Sequence, residues 1–286
     1  MALADELPVE IVSVDSAMVY RQMDIGTAKP DSDTLARYPH HLVDIREPDT
    51  PYSAADFCSD VLPLMAAITA RGRVPLLVGG TMLYFKALLQ GLAKMPPANR
   101  EVRHQIAARA QQHGWAHVHS RLAEVDPIAA ARIHPNDPQR IGRALEVFEI
   151  TGQSMTAWHV AQTAQIFPYA CHQLAIVPAD RIVLHAQIAE RFAQMLGEGL
   201  VAEVDVLRQR YPAGEGLPAL RAVGYRQVWQ HLDGRLTYKQ MQDQGIIATR
   251  QLAKRQFTWL RSWPDLKQIV TPDKSLALKI LGSSII

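Results

Sequence analysis

Two short runs of mostly apolar, β-branched residues constrain this chain more than anything else in it: "VEIVSV" at 9–14 and "VPLLV" at 74–78. Both have the length of a strand. The second, nearly all apolar, is expected to be covered on both faces, as in a parallel sheet. Each run ends in chemistry-bearing residues, Asp15-Ser16 after the first and Gly79-Gly80-Thr81 after the second. Between them "SAADFCSDVLPLMAAITARG", 53–72, predicts a helix, with Ser53 and Asp56 spaced as a capping box and Gly72 as the stop. Strand alternating with helix predicts an α/β fold around a parallel sheet.

Further elements follow from the same signals. Residues 2–6 read as the tail of a helix, "HLVDIRE" at 41–47 as a strand closed by Pro48, and 82–90 as a helix closed by Gly91. The texture changes at "AKMPPANREV", where Pro96-Pro97 interrupts the pattern and helical periods take over to about 165. One helix is well marked: Asn136 and Asp137 can cap it, Pro138 suits its first turn, Ile141, Leu145 and Phe148 share a face, and Gly152 ends it. An extended stretch at 172–178 precedes helices that run to about 263. The expected organisation is an α/β core of 1–95 and 166–286 with a helical insertion at 96–165.

Composition excludes several classes. At 286 residues, 48% hydrophobic and 20% charged, the chain can bury a full core. A net charge of +2 means that a polyanionic partner must be met by local clusters of basic residues. Cys58 and Cys171 form no C-x-x-C pair, which argues against a disulfide framework or zinc knuckle and for a reducing compartment. Asp5, Glu6 and Glu10 stand where a signal peptide would be basic and then apolar, and no uncharged run of about 18 apolar residues occurs. A cytoplasmic protein, not associated with a membrane, is expected.

The strand ends are where an open α/β sheet binds ligands. Asp15 and Ser16 can serve a site there, or Asp15 can cap the next segment. The Gly79-Gly80-Thr81 turn opens a helix and can receive an anion on free N–H groups, or Thr81 can be a plain N-cap. Gly26, Thr27 and Lys29 in "MDIGTAKP" fit a loop over an anion or an ordinary turn. Near the C-terminus a helix places Arg250, Lys254 and Arg261 on one side and Met241, Ala248, Leu252 and Trp259 on the other, with Phe257 among the basic residues. Arg140, Arg143, Arg221 and Arg226 repeat the theme. A solvated face is one reading; phosphate contact with base stacking, as in single-stranded RNA recognition, is the other. The eleven histidines, including His40-His41 and the group His113, His117 and His119, lack the partners of a metal site.

Taken together, "VDSAMVYRQMDIGTAKP", "YSAADF", "PLLVGGTMLYFKALL", "RIHPNDPQRIGRALEV", "RAVGYRQ" and "TRQLAKRQFTWLR" resemble, in order and from about residue 7 to 263, the bacterial tRNA dimethylallyltransferase family. The resemblance implies a P-loop NTPase-like core, a helical insertion gripping the anticodon stem, Mg²⁺, and a monomeric enzyme. It implies transfer of dimethylallyl from dimethylallyl diphosphate to N6 of the adenosine just 3′ of the tRNA anticodon (A37). By the same resemblance Asp15 is the base for the adenine amine and Thr81 lies at the reaction centre. The tRNA contacts it implies are Asp15, Ser16, Ala17 and Met18; Arg103; and Gln139, Arg140, Ile141, Gly142 and Arg143. They continue with Arg221, Ala222, Val223, Gly224, Tyr225 and Arg226, and with Lys254, Arg255, Gln256, Phe257, Thr258, Trp259, Leu260 and Arg261.

One departure stands out. The family's phosphate loop, G-x-x-x-x-G-K-[ST], does not occur in the sequence, which leaves the diphosphate-binding residues unassigned. The expectation is a reading frame that begins about 20 residues earlier, a strand, loop and helical turn, so that the chain as written neither folds stably nor transfers. Two other readings stay open: a tRNA-binding protein that has lost transfer, and a nucleotide-kinase-like phosphotransferase. The three arginine-bearing blocks favour RNA over a small acceptor.

Overall fold

The computed structural model describes residues 1–162, 167–212 and 214–270. The chain forms two compact units, Met1–Ala87 with the chain from Pro168 on, and Leu88–Phe167. The tail of the expected insertion, 163–165, together with 166 and 271–286 of the expected core, lies outside the described residues.

In the first unit β1 (Val9–Val14) is central, paired in parallel with β2 (His40–His41) on one edge and β3 (Val74–Gly79) on the other. Ile11, Val12 and Val14 are buried, as a central strand requires. Beneath lies α2 (Ala54–Ala70), whose Phe57, Val61, Met65 and Ile68 recur at helical spacing and are all buried. Its capping box is formed as the sequence predicts: Asp56 N–H donates to the Ser53 hydroxyl, and the Asp56 carboxylate accepts from Ser53 N–H. Helix α3 (Met82–Gln90) follows β3 directly. A second parallel pair, β4 (Leu174–Val177) with β5 (Lys267–Val270), accompanies α9 (Arg181–Gly197), α10 (Leu200–Arg210), α11 (Tyr225–Leu232) and α12 (Tyr238–Arg261).

Three expectations need correction. Residues 2–6 form turns rather than a regular helix. The strand expected at 41–47 ends after His41, because Leu42 (φ 64°) and Asp44 (φ 55°) take left-handed backbone that no strand continues. Only an isolated bridge, Tyr20 to Arg46, carries the pairing further. The run at 74–78 is not covered on both faces: Val74 is 37% and Val78 52% exposed. Among the described residues β3 also has no strand on its far edge.

The second unit is all helical: α4 (Arg100–His113), α5 (Trp115–Val125), α6 (Pro127–Arg132), α7 (Pro138–Thr151) and α8 (Met155–Val160). Ile106, Val118, Leu122, Ile141 and Leu145 form its core. Asp137 caps α7 by accepting from Arg140 N–H, Pro138 opens it, and Gly152 ends it in left-handed conformation (φ 70°). Helix α1 (Ser32–Arg37) of the first unit is a short turn capped by Asp31.

Glu10 links the start of the sheet to its surroundings. Its carboxylate accepts two hydrogen bonds from Arg71 and lies 2.8 Å from His41 Nε2. The Arg71 hydrogen bonds dominate and hold its pKa at about 2, against 4.5 ordinarily. The folded value lies below the unfolded one, so this stabilisation is present above about pH 4.5 and is lost as pH falls towards 2. Half-exposed Arg71 reduces it to about 1–2 kcal/mol. Urea unfolding should show Glu10→Gln less stable by that amount at neutral pH, and less sensitive to acid between those values. Identical acid profiles would remove Glu10 from the account.

Candidate active site and RNA-facing surfaces

The C-terminal ends of β1 and β3 bring Asp15, Ser16, Gly80 and Thr81 together. Gly79 pairs with Val14, and a Cβ on Gly79 would lie 2.1 Å from the Val14 carbonyl oxygen, so only glycine lets the strands end this close. Thr81 N–H then donates to that same carbonyl at 3.2 Å. The Thr81 hydroxyl accepts from Ser16 N–H at 3.0 Å and lies 3.3 Å from the Ser16 hydroxyl. It joins the two strand ends. The anion reading of the turn loses support here, because the N–H groups of Thr81 and Met82 are already donated to Val14 and Gly80 carbonyls.

Asp15 combines the two roles left open by the sequence. Its Oδ1 accepts from Ala17 N–H at 2.7 Å and Met18 N–H at 3.0 Å, which caps the following turn and fixes the carboxylate. Its Oδ2 has no donor among the described residues, so one carboxylate oxygen of half-buried Asp15 is left unpaired at the sheet edge. Tyr84 packs below, its ring stacked on Phe57 at 4.8 Å and its hydroxyl donating to the Tyr52 carbonyl. Burial pushes the Tyr84 hydroxyl well above the ordinary tyrosine range, with Tyr20 and the Asp15 charge adding to the effect. It stays protonated as part of the floor.

Helix α12 reaches this edge. Gln256 Nε2 donates to the Gly80 carbonyl at 3.0 Å, and Lys86 of α3 sits 5.6 Å from the centre of the Trp259 ring. On the same helix Lys254, Arg255 and Arg261 are exposed, and none has an acidic partner among the described residues. The expected apolar side holds for buried Met241 and Ala248, but Leu252 is exposed and Trp259 half-buried. Arg250 is half-buried, and its Nε has no partner among the described residues.

Other sequence-predicted contacts are distributed differently. Arg221 and Arg226 are exposed, whereas Gly224 and Tyr225 between them are buried. The Tyr225 hydroxyl donates to Glu203 at 2.5 Å, and Glu203 also accepts the N–H groups of Asp24, Ile25 and Gly26. Burial, then the Glu203 charge, raises the Tyr225 pKa strongly. Tyr225 is therefore a clamp for the 24–26 loop rather than a surface contact. Lys29, offered by the sequence as an anion ligand, is 3% exposed and paired with Asp24 and Asp44. It too is structural.

In the helical unit Arg103 forks onto Glu146, with Nε to Oε1 at 2.8 Å and a second bond at 3.1 Å. Arg143 donates to the same carboxylate at 2.7 Å and to the Pro96 carbonyl at 2.8 Å. Ile141 is fully buried. These residues brace α4 against α7; Arg140, which pairs with the helix-capping Asp137, keeps its side chain 70% exposed, against 30% for Arg143. Sequence reasoning missed Glu146 and Glu203. An acid on an otherwise apolar helix face, as Glu146 follows Leu145, was the available signal for the first; nothing in the sequence distinguishes the second from a solvated acid.

A fixed carboxylate and a hydroxyl thus meet at the C-terminal edge of a parallel sheet, reached by a helix with exposed cations. Residues 18–263 match the family described as IPP transferase, and the chain belongs to it. The fold is shared with the full-length tRNA isopentenylpyrophosphate transferase of Bacillus halodurans, at 34% identity over 99% of this chain and 90% of that one, TM-score 0.69. It is shared also with the tRNA delta(2)-isopentenylpyrophosphate transferase of Staphylococcus epidermidis, at 28% identity over 99% and 92% of the two chains, TM-score 0.67. A eukaryotic dimethylallyltransferase crystallised acting on tRNA matches in fold, with TM-score 0.74, 22% identity, and 99% and 72% of the two chains covered.

Proposed function

We propose that this protein transfers a dimethylallyl group from its diphosphate to N6 of the adenosine just 3′ of the anticodon in tRNA. The observation that carries the reading is Asp15, whose Oδ1 is spent on fixing the side chain while Oδ2 stays available, next in sequence to Ser16, whose N–H is bonded to Thr81. The exocyclic amine of adenine is a weak nucleophile, so attack needs a carboxylate within hydrogen-bond reach. The N6–C1 bond forms as the C1–O bond to diphosphate breaks, and the N6 proton passes to Asp15 Oδ2. The base must leave its stack to reach this edge.

Charge on the departing diphosphate needs cationic help. Among the described residues no three His, Cys, Asp or Glu side chains group as a metal site. What the site offers is one carboxylate and two hydroxyls, Asp15, Ser16 and Thr81, which suits Mg²⁺ carried mainly by the substrate phosphates and water. Bound so, the ion would supply charge neutralisation.

The RNA contacts fall to Arg221, Arg226, Lys254, Arg255 and Arg261 in the first unit, and to Arg140 within the 96–165 region, which we assign to the anticodon stem. Among the described residues no helix is long and apolar enough to cross a membrane, and a tRNA substrate places the activity in the cytoplasm. Replacing Lys254, Arg255 and Arg261 with alanine should flatten the salt dependence of tRNA binding by about 0.7–0.9 log units per lost phosphate contact. An unchanged slope would make them a solvated face. The reaction itself is tested with an anticodon stem-loop carrying inosine at the target position. Lacking the amine, it should bind full-length protein but release no diphosphate, whereas release equal to that with adenosine would contradict N6 transfer.

A further inference from the structure

We infer that Gln256 is a positioning residue that ties the cationic helix α12 to the turn carrying Thr81, so that the seat of the reaction centre depends on where α12 lies. This rests on the reading of Thr81 as part of that centre. The turn is held from two sides. On one, Thr81 N–H and the Thr81 hydroxyl are bonded to Val14 and Ser16 at the end of β1. On the other, Gln256 Nε2 of α12 donates to the Gly80 carbonyl at 3.0 Å.

The fit around that contact explains the second glycine. A Cβ built on Gly80 would lie 2.4 Å from Gln256 Nε2; among the described residues, its chain neighbours aside, the one other atom within 4 Å is the Gln256 amide carbon. Gly80 does not adopt a left-handed backbone, so alanine is conformationally allowed there. The space that glycine leaves is used by the Gln256 amide alone. Gly79 has a different reason, the backbone of Val14, so the two glycines of the pair answer to two separate neighbours. Lys86 against Trp259, one helical turn beyond Gln256, holds α12 and α3 together at a second point.

Along the helix Lys254 and Arg255 immediately precede Gln256 and Arg261 follows five residues later, all exposed. RNA drawn onto those cations would therefore press on the helix that sets the turn. A displacement of about 1 Å at a reacting group can cost up to about 10²-fold in rate. Gln256 is thereby distinguished from its neighbours: its amide faces the protein's own backbone.

The test is a double-mutant cycle in the full-length protein, with tRNA affinity and single-turnover transfer at saturating tRNA measured separately. Gln256→Ala removes the donor, Gln256→Glu keeps the shape but removes the N–H, and Gly80→Ala displaces the amide while leaving it chemically intact. Each is expected to slow transfer about 10- to 100-fold, with tRNA affinity within about three-fold. Gly80→Ala in the Gln256→Ala background should cost nothing further, because the only atoms its methyl would meet are gone. Multiplying losses in the double variant would overturn the inference, as would weakened tRNA binding with an unchanged rate, which would make Gln256 an RNA contact. If the parent protein itself fails to transfer, the proposed function falls instead, and the cycle is then read by hydrogen exchange of the turn at 79–82. Faster exchange in Gln256→Glu keeps the positioning role; unchanged exchange removes it.

Discussion

Asp15→Asn is expected to slow dimethylallyl transfer by about 10² to 10⁴ while leaving the fold and tRNA affinity within a few-fold of the parent. The asparagine keeps an acceptor for the Ala17 and Met18 N–H groups, so the turn at 16–18 stays capped. It loses only the basic oxygen. Asp15→Ala should be as slow in the chemical step and in addition less stable by about 1 kcal/mol, because two backbone donors lose their partner. Single-turnover rates at saturating tRNA separate these effects from binding. An unchanged chemical step in the asparagine variant would reduce Asp15 to a turn cap.

The second large effect is on stability. Glu146 is fully buried and receives four hydrogen bonds, from Asn99 N–H, two from Arg103 and one from Arg143. Burial alone would raise its pKa, but the Arg103 and Arg143 hydrogen bonds outweigh it and leave the value below the ordinary carboxylate range. The group is charged at neutral pH. Glu146→Ala strands two guanidiniums and one backbone N–H, a change that costs about 3–5 kcal/mol when the orphaned charges are fully buried. Arg103 is half-exposed and Arg143 less so, which lowers the expected loss to about 2–4 kcal/mol. Hydrogen exchange over α4 and α7 should report it as faster opening of both helices. Arg103→Ala should loosen the same helices. If instead protection is unchanged and only tRNA affinity falls, the Arg103–Glu146 pair belongs to the RNA surface and not to the frame.

Elements whose signal is local were legible from the residues. The Ser53–Asp56 capping box, Asp137 and Pro138 at the start of α7, and Gly152 at its end each act within one turn of chain, and each is formed. Asp15 and Thr81 could be singled out because strand ends are where an α/β sheet carries its chemistry, and the structure does bring them together through Ser16. What the sequence hid was decided by partners far along the chain. Lys29 looks like a ligand until Asp44 and Asp24 take its charge. Tyr225 lies between two exposed arginines, yet its hydroxyl is claimed by Glu203, 22 residues earlier. Arg103 and Arg143 read as free cations until Glu146 is placed between them. The strand expected at 41–47 failed for a backbone reason, the left-handed conformations of Leu42 and Asp44, which apolar patterning does not report. The basic blocks are thus divided by the fold into cations that remain at the surface and cations that hold helices together.

The account is tested most directly by incubating the full-length protein with unmodified tRNA and dimethylallyl diphosphate, digesting the RNA, and mapping the modified nucleoside by mass spectrometry. The prediction is one N6-dimethylallyl adenosine, immediately 3′ of the anticodon, formed by the parent and at least about 10²-fold more slowly by Asp15→Asn. Tight tRNA binding with no modified adenosine, or equal yields from parent and variant, would contradict the assignment of this sheet edge as the site of transfer.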